Sequence, residues 1–241
     1  MAQEDPIPNI AKVYDEQVHT YTQFTTSSFS WGVLERPAIE QNLSAICNQE
    51  LKILDAGCGG GRVIKHLISL GALPINIIGV DISSGMLEIA KAELPPQVKL
   101  VKASLSEVEL EPGYLDLVTS SMVLHYLDEE ALEQTMRKFY QSLKPKGTLF
   151  YIVPHPMRYA IQYSATYLQK GWQEEITPWD TKIPFFHRPV SDFINQTSQA
   201  GFNIRRVIEP TIDDRFKELD PESYDRYTRY GPSRLVVVAE K

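Results

Sequence analysis

The chain has 241 residues, 43% of them hydrophobic, enough to bury one full core with room for a small cap. Its formal net charge is −7 and no Lys/Arg cluster stands out, which argues against nucleic acid as a partner. No apolar run approaches membrane-spanning length, and the start, Met1 to Pro6, has no basic region ahead of an apolar stretch, so the expectation is a cytoplasmic protein with no membrane partner.

Residues 1 to 24 are polar and proline-marked. Tyr14, Val18 and Tyr21 recur at i, i+4 and i+7, which predicts a short amphipathic helix over residues 10 to 23. A second helix is expected over 37 to 47. From residue 51 the elements alternate: strand 51–55, helix 62–70, strand 75–80, helix 84–93, strands 98–101 and 115–119, helix 128–142, strand 147–153. That alternation implies an α/β fold, a parallel sheet with helices on both faces. Residues 154 to 186 interrupt the order and are rich in aromatics. Tyr159, Tyr163 and Tyr167 stand four apart, so they would line one face of a helix opened by Pro156 and closed by Gly171. Such a helix either packs on the domain or covers a small organic ligand, to which tyrosine offers an apolar wall with a polar tip. Next comes a helix from Pro189 to Gly201 with Ser191 as its N-cap. Two β-like runs, Phe202 to Ile208 and Arg234 to Ala239, flank a charge-rich stretch, Asp213 to Arg229, expected to be solvated, the lesser reading being that Tyr224, Tyr227 and Tyr230 join the pocket.

One segment carries most of the chemistry. Asp55-Ala-Gly-Cys-Gly-Gly-Gly-Arg62 follows the apolar run Leu51 to Leu54 directly. Glycines 57, 59 and 61 allow positive φ and let a ligand press against bare peptide. Asp81, at the end of the next apolar run, suits the two hydroxyls of a ribose. A dinucleotide fingerprint requires Gly-x-Gly-x-x-Gly; read from Gly57, the third glycine falls on Arg62 and the match fails. Asp55 would also repel a pyrophosphate, whereas its carboxylate could meet an amino group. Cys58 fits the turn as a small apolar side chain, and with Cys47 it makes neither a disulfide framework nor a zinc site, so no metal is expected.

Asp-x-Gly-x-Gly-x-Gly with a distal Asp resembles motifs I and II of the class I S-adenosylmethionine (SAM) methyltransferases. Further similarities follow in the family's order: Asp81 to Ala92 as the start of a helix, Tyr114 to Ser121 as motif IV, and Leu143-Lys-Pro-Lys-Gly-Thr-Leu149 as the entry to strand five. They point to the small-molecule, type 11/12-like members. The resemblance covers residues 50 to 155 strongly and 187 to 241 moderately. It implies a Rossmann-like, doubly wound, mostly parallel seven-stranded sheet with an antiparallel last strand and a small helical cap. The corresponding divisions are an N-terminal helical lid (1–48), a SAM-binding core (49–153), an aromatic-rich cap (154–188) and the C-terminal part of the sheet (189–241). It also implies that Gly57 and Gly59 back the methionine moiety and that Ala103, Ser104 and Leu105, with Ile82 or Met86, surround adenine. Arg62 is a candidate for the methionine carboxylate or for a surface salt bridge, and Asp55, Cys58, Ser120 and Tyr21 complete the expected cofactor set.

The chemistry expected is methyl transfer to oxygen or nitrogen of a small-molecule acceptor by in-line displacement, in a monomer or homodimer. Three histidines are candidate bases: His125 beyond strand four, His155 at the end of strand five and His187 after the aromatic segment. Tyr14, Tyr21, Trp31, Tyr126, Tyr159 and Tyr163 are the expected substrate contacts. A catalytically inactive SAM-binding regulatory or assembly protein is the alternative.

Overall fold

The computed structural model describes residues 9–26, 28–162, 166–177 and 179–241. The first half of the chain contains α1 (Ile10–Glu16), α2 (Val18–Thr26), α3 (Arg36–Leu43), β1 (Ile53–Ala56), α4 (Arg62–Ser69), β2 (Ile77–Asp81), α5 (Ser84–Glu93), β3 (Lys99–Lys102) and β4 (Leu115–Ser121). The second half adds α6 (Glu129–Ser142), β5 (Leu143–Pro154), α7 (Pro156–Gln162), β6 (Gly171–Ile176), β7 (Lys182–His187), α8 (Val190–Gln199), β8 (Asn203–Ile208), α9 (Phe216–Leu219), α10 (Pro221–Thr228) and β9 (Arg234–Glu240). The main sheet has the order β3-β2-β1-β4-β5-β9-β8. Strands β1 to β5 pair in parallel, and β9 inserts antiparallel between β5 and β8. This is the Rossmann-like sheet anticipated from the sequence.

β1 is buried at all four positions, as a central parallel strand covered on both faces must be. Its alternate residues feed two cores. Leu54, Val118 and Tyr151 pack with Leu132, Met136 and Phe139 of α6 and Phe193 of α8. Ile53, Leu117 and Ile152 pack on the other face with Ile39 and Leu43 of α3, Ile64 and Leu67 of α4 and Ala90 of α5. α6 begins at Asp128, whose carboxylate accepts from the Ala131 amide at 2.8 Å, and its apolar residues 132, 136 and 139 form one stripe.

Three local expectations are corrected. The N-terminal helix is two helices, broken at Gln17. The break accompanies a latch: Asp15 Oδ1 accepts from Ser83 Oγ (2.5 Å) and from the Gly85 amide (2.9 Å) at the start of α5. α3 stops at Leu43 rather than 47 and is preceded by one π-helical turn, Trp31–Glu35. α8 starts at Val190 with Pro189 in the capping position (φ −68°, ψ 162°), so Ser191 lies inside the helix.

The largest difference is the cap. It is a short helix, α7, followed by a β-hairpin in which β6 and β7 pair antiparallel. Gly171, expected to close a helix, opens β6 opposite His187, and Tyr167 is not helical. The alternation of Ile183, Phe185 and His187, all buried, is the period-two signal of the hairpin. Tyr163 lies outside the described residues.

Candidate active site

The glycine turn joins the ends of two parallel strands. The amides of Gly57 and Cys58 donate to the Val80 carbonyl of β2 at 2.7 and 2.9 Å. Gly57 and Gly59 have φ of 77° and 51°, values that side chains rarely tolerate. Their surroundings differ. A Cβ on Gly57 would lie 2.2 Å from Val123 Cγ2, so the loop after β4 packs against that bare backbone. A Cβ on Gly59 would meet only Met86 Cε, at 3.4 Å, and the residue borders open space. Asp81 ends β2 and clasps the turn: Oδ2 accepts from the Gly59 amide (2.8 Å) and Oδ1 from the Ser83 amide (2.9 Å). Burial raises its pKa above the usual carboxylate value, against these amides. Each oxygen keeps a further lone pair.

Two adjoining cavities open over this turn, at the carboxyl ends of the strands where the strand order reverses, as open parallel sheets predict. One, of about 430 Å³, is lined by Asp81, Ile82, Met86, Ala103, Ser104 and Leu105. The other, of about 550 Å³, is lined by Trp31, Cys58, Arg62, His125, Arg158, Tyr159 and Glu175, among others. Tyr14, Tyr21, Gly57, Gly59, Met86 and Tyr126 line both. The lid forms part of the wall. Tyr14 and Tyr126 share a hydroxyl hydrogen bond of 2.9 Å, and Tyr21 packs edge-on to Trp179 at 5.2 Å. The cradle fits a nucleoside joined to an amino acid: an acid with free lone pairs at the ribose position, bare peptide in the middle and the Arg62 guanidinium beyond. No carboxylate among the described residues lies within ion-pair distance of Arg62; its guanidinium sits 5.0 Å from the Trp31 ring.

Several expected residues stand elsewhere. Asp55 lines neither cavity: it is 1% exposed, accepts from Thr119 Oγ1 at 2.9 Å, and is pushed up to about 7, first by burial and further by Asp81. Ser120 is buried and donates to the Ala56 carbonyl at 2.9 Å; the residues after it, Ser121 and Met122, face the cavities instead. Cys58 lines the larger cavity, but burial raises its thiol pKa far above the normal value, so it is inert. Ser104 reaches the first cavity with its hydroxyl bonded to Ser106 Oγ at 2.9 Å.

Of the three histidines, only His125 lines a cavity. His155 holds Glu209 through Nε2 (2.9 Å) and accepts the Met157 amide on Nδ1 (3.2 Å). His187 donates from Nε2 to the Tyr167 carbonyl at 3.0 Å. Both are committed within the structure and neither borders the cavities. His125 is 3% exposed, and burial, with Arg234 and Arg188 nearby, pushes its pKa down to about 3. An imidazole so depressed holds no proton at neutral pH and accepts one poorly.

The larger cavity also contains groups the sequence did not single out. Arg234, at the start of β9, donates to Glu35 Oε1 at 2.7 Å in a buried pair. Glu175 of β6 accepts a hydrogen bond from the Tyr159 hydroxyl, and burial raises its pKa. Tyr227 of α10, which the sequence offered only as the lesser reading of the charge-rich tail, is 6% exposed and lines the wall. These residues come from four separate elements, and no local spacing in the sequence announces them. Among the described residues no cluster of three or more His, Cys, Asp or Glu is placed to hold a metal, and no helix is long and apolar enough to cross a membrane.

Residues 53–147 match the family model described as a methyltransferase domain. The malonyl-[acyl-carrier protein] O-methyltransferase of Priestia megaterium is 30% identical over 143 residues, covering 59% of this chain and 50% of that protein. The chain therefore spans about half of that relative. An uncharacterized Haemophilus influenzae protein is 24% identical over 233 residues, covering 86% of this chain and 89% of its own length. A solved structure from Listeria monocytogenes assigned to the SAM-dependent methyltransferases superposes with a TM-score of 0.71 at 26% identity, covering 86% of this chain and 98% of that one. These likenesses support a class I SAM-dependent methyltransferase family for the domain over residues 53–147, with SAM as its cofactor.

Proposed function

We propose that this protein transfers the methyl group of SAM to an oxygen or nitrogen of a small-molecule acceptor bound in the larger cavity. The observation that supports this most is the pair of adjoining cavities, one with the ribose-type acid and the other lined by tyrosines, a glutamate and arginines. SAM, when bound, supplies a methyl group on a positively charged sulfur that leaves as a neutral thioether. The residues have the remaining tasks. Asp81 binds the ribose hydroxyls, Gly57 and Gly59 back the methionine portion, and Arg62 meets its carboxylate. Ala103, Ser104, Leu105, Ile82 and Met86 enclose the adenine. The lid tyrosines Tyr14 and Tyr21, with Tyr126, enclose the junction of the two cavities and exclude water, so acceptor and donor are held in line.

Where the acceptor arrives protonated, Glu175 is better suited than His125 to take the proton. A carboxylate raised by burial moves toward the working pH, whereas His125 has moved away from it. The test is turnover, read as formation of S-adenosylhomocysteine (SAH) with a panel of small hydroxy and amino compounds. Glu175→Gln should lower turnover about 10²–10⁴-fold and abolish the acid limb of the pH profile, with SAM affinity unchanged. His125→Gln should leave that limb in place. An unchanged profile in Glu175→Gln rejects the assignment of the base. SAM binding without turnover on any compound favours a SAM-binding regulatory role.

A further inference from the structure

Three arginines line the larger cavity or stand at its wall, and their electrostatic situations differ. Arg234 is neutralised by Glu35 at 2.7 Å, and the second oxygen of that glutamate is buried with no hydrogen-bond partner among the described residues. Arg62 lies beside the glycine turn, where a cofactor carboxylate would meet it. Arg158, on α7, is different: among the described residues no carboxylate lies within ion-pair distance of it and no hydrogen-bond acceptor holds it. Its guanidinium carbon sits 5.2 Å from the Tyr227 ring centre, with that of Arg234 5.5 Å from the same ring. The carboxylate whose field reaches it, Glu175, stands beyond ion-pair distance and accepts from the Tyr159 hydroxyl. Burial, then the neighbouring Arg234, lower the Arg158 pKa, and the fields of Tyr159, Tyr227 and Glu175 offset this only in part.

A guanidinium fork lining this cavity matches a planar anion, which it can grip through two parallel hydrogen bonds. We propose that the acceptor carries a carboxylate that docks on Arg158 and is a different group from the one that is methylated. Pairing with a guanidinium withdraws electron density from a carboxylate and makes it a poorer nucleophile, so this end of the acceptor is an anchor. The methylated atom then lies toward Tyr14, Tyr126 and Glu175. The acceptor is thus a bifunctional molecule, a hydroxy acid or an amino acid rather than a neutral phenol or a simple amine. This inference rests on the proposed function and narrows it.

The test uses the full chain loaded with SAH. Benzoate, phenylacetate, 4-hydroxybenzoate and a set of small α-amino and α-hydroxy acids are each compared with the matching primary amide, by thermal shift and by Trp fluorescence. The acids should raise the melting temperature and the amides should not, with at least a tenfold difference in apparent affinity for the best pair. Arg158→Gln should erase the difference and Arg158→Lys should restore part of it, while SAH affinity stays at the parental value in both. A parent that treats every acid and its amide alike overturns the proposal, as does an Arg158→Gln variant that keeps the preference. Failure of the parent to bind SAH would instead reject the proposed function. Far-UV dichroism and SAH affinity report whether the variants remain folded.

Discussion

Asp81 clasps the glycine turn and, in the proposed function, also holds the ribose. Its oxygens already hold the amides of Gly59 and Ser83, and the residue lines the smaller cavity. Hydrogen bonds from ribose hydroxyls to a carboxylate contribute roughly 1.5–3 kcal/mol each. Asp81→Ala should therefore weaken SAM binding about 10²–10⁴-fold, as measured by calorimetry. Asp81→Asn, which keeps the shape and some acceptor capacity, should lose less; equal affinities for Asp81→Ala and the parent would remove Asp81 from the ribose site. At this scale the sequence was legible where one residue has one local reason. Asp81 and the glycines declare themselves because a strand end and a positive φ are local properties. Arg158 and Glu175 do not, because their meaning depends on partners that only the folded chain brings together. His155 and His187 misled for the same reason: a strand-end position says nothing of the Glu209 and Tyr167 atoms that occupy their rings.

Among the elements, α1 and α2 reach both cavities through Tyr14 and Tyr21 and are the expected lid. α1 holds to α5 through Asp15, whose carboxyl is kept below its usual pKa by the Ser83 hydroxyl and the Gly85 amide. A lowered acid stabilises the folded contact above its unfolded pKa, near 3.9, and the contact is lost as pH falls through the lowered value. The latch is therefore fully formed at neutral pH. Asp15→Ala should speed amide hydrogen exchange across residues 10 to 26 and raise the Michaelis constant for SAM several-fold, with little change in global melting temperature. Unchanged exchange in α1 and α2 would show that Tyr14 and Tyr126 hold the lid without it. The cap hairpin shows the limit of reading elements from spacing. Tyrosines four apart fit a helix as well as a coincidence, whereas the alternation from Ile183 to His187 has a physical cause in one buried strand face. The strands and helices from residue 51 to 154 were legible because a covered parallel sheet imposes continuous apolar runs on the sequence.

For the whole molecule, Asp55 makes the pH dependence of stability unusual. Its folded pKa is raised to about 7 by burial, from a reference of 3.8. The native state thus binds more protons than the unfolded chain between these values, and stability falls as pH rises through that window. A shift of about three units corresponds to at most about 4 kcal/mol. Asp55→Asn should remove much of this slope and leave the free protein at least as stable at pH 8 as the parent, measured by urea unfolding at pH 5 and pH 8. A parental slope retained in the variant would place its origin elsewhere. The sheet, the two cores and the paired cavities all serve one purpose in this account, which is to hold SAM at the switch in strand order with its methyl end toward the larger cavity. The most direct measurement is a calorimetric titration of the full chain with SAH, alone and with NAD as competitor. The account predicts one site per chain with a dissociation constant in the micromolar range, about −8 kcal/mol, undisturbed by NAD. No heat with SAH, or displacement of SAH by NAD at similar concentration, would contradict it.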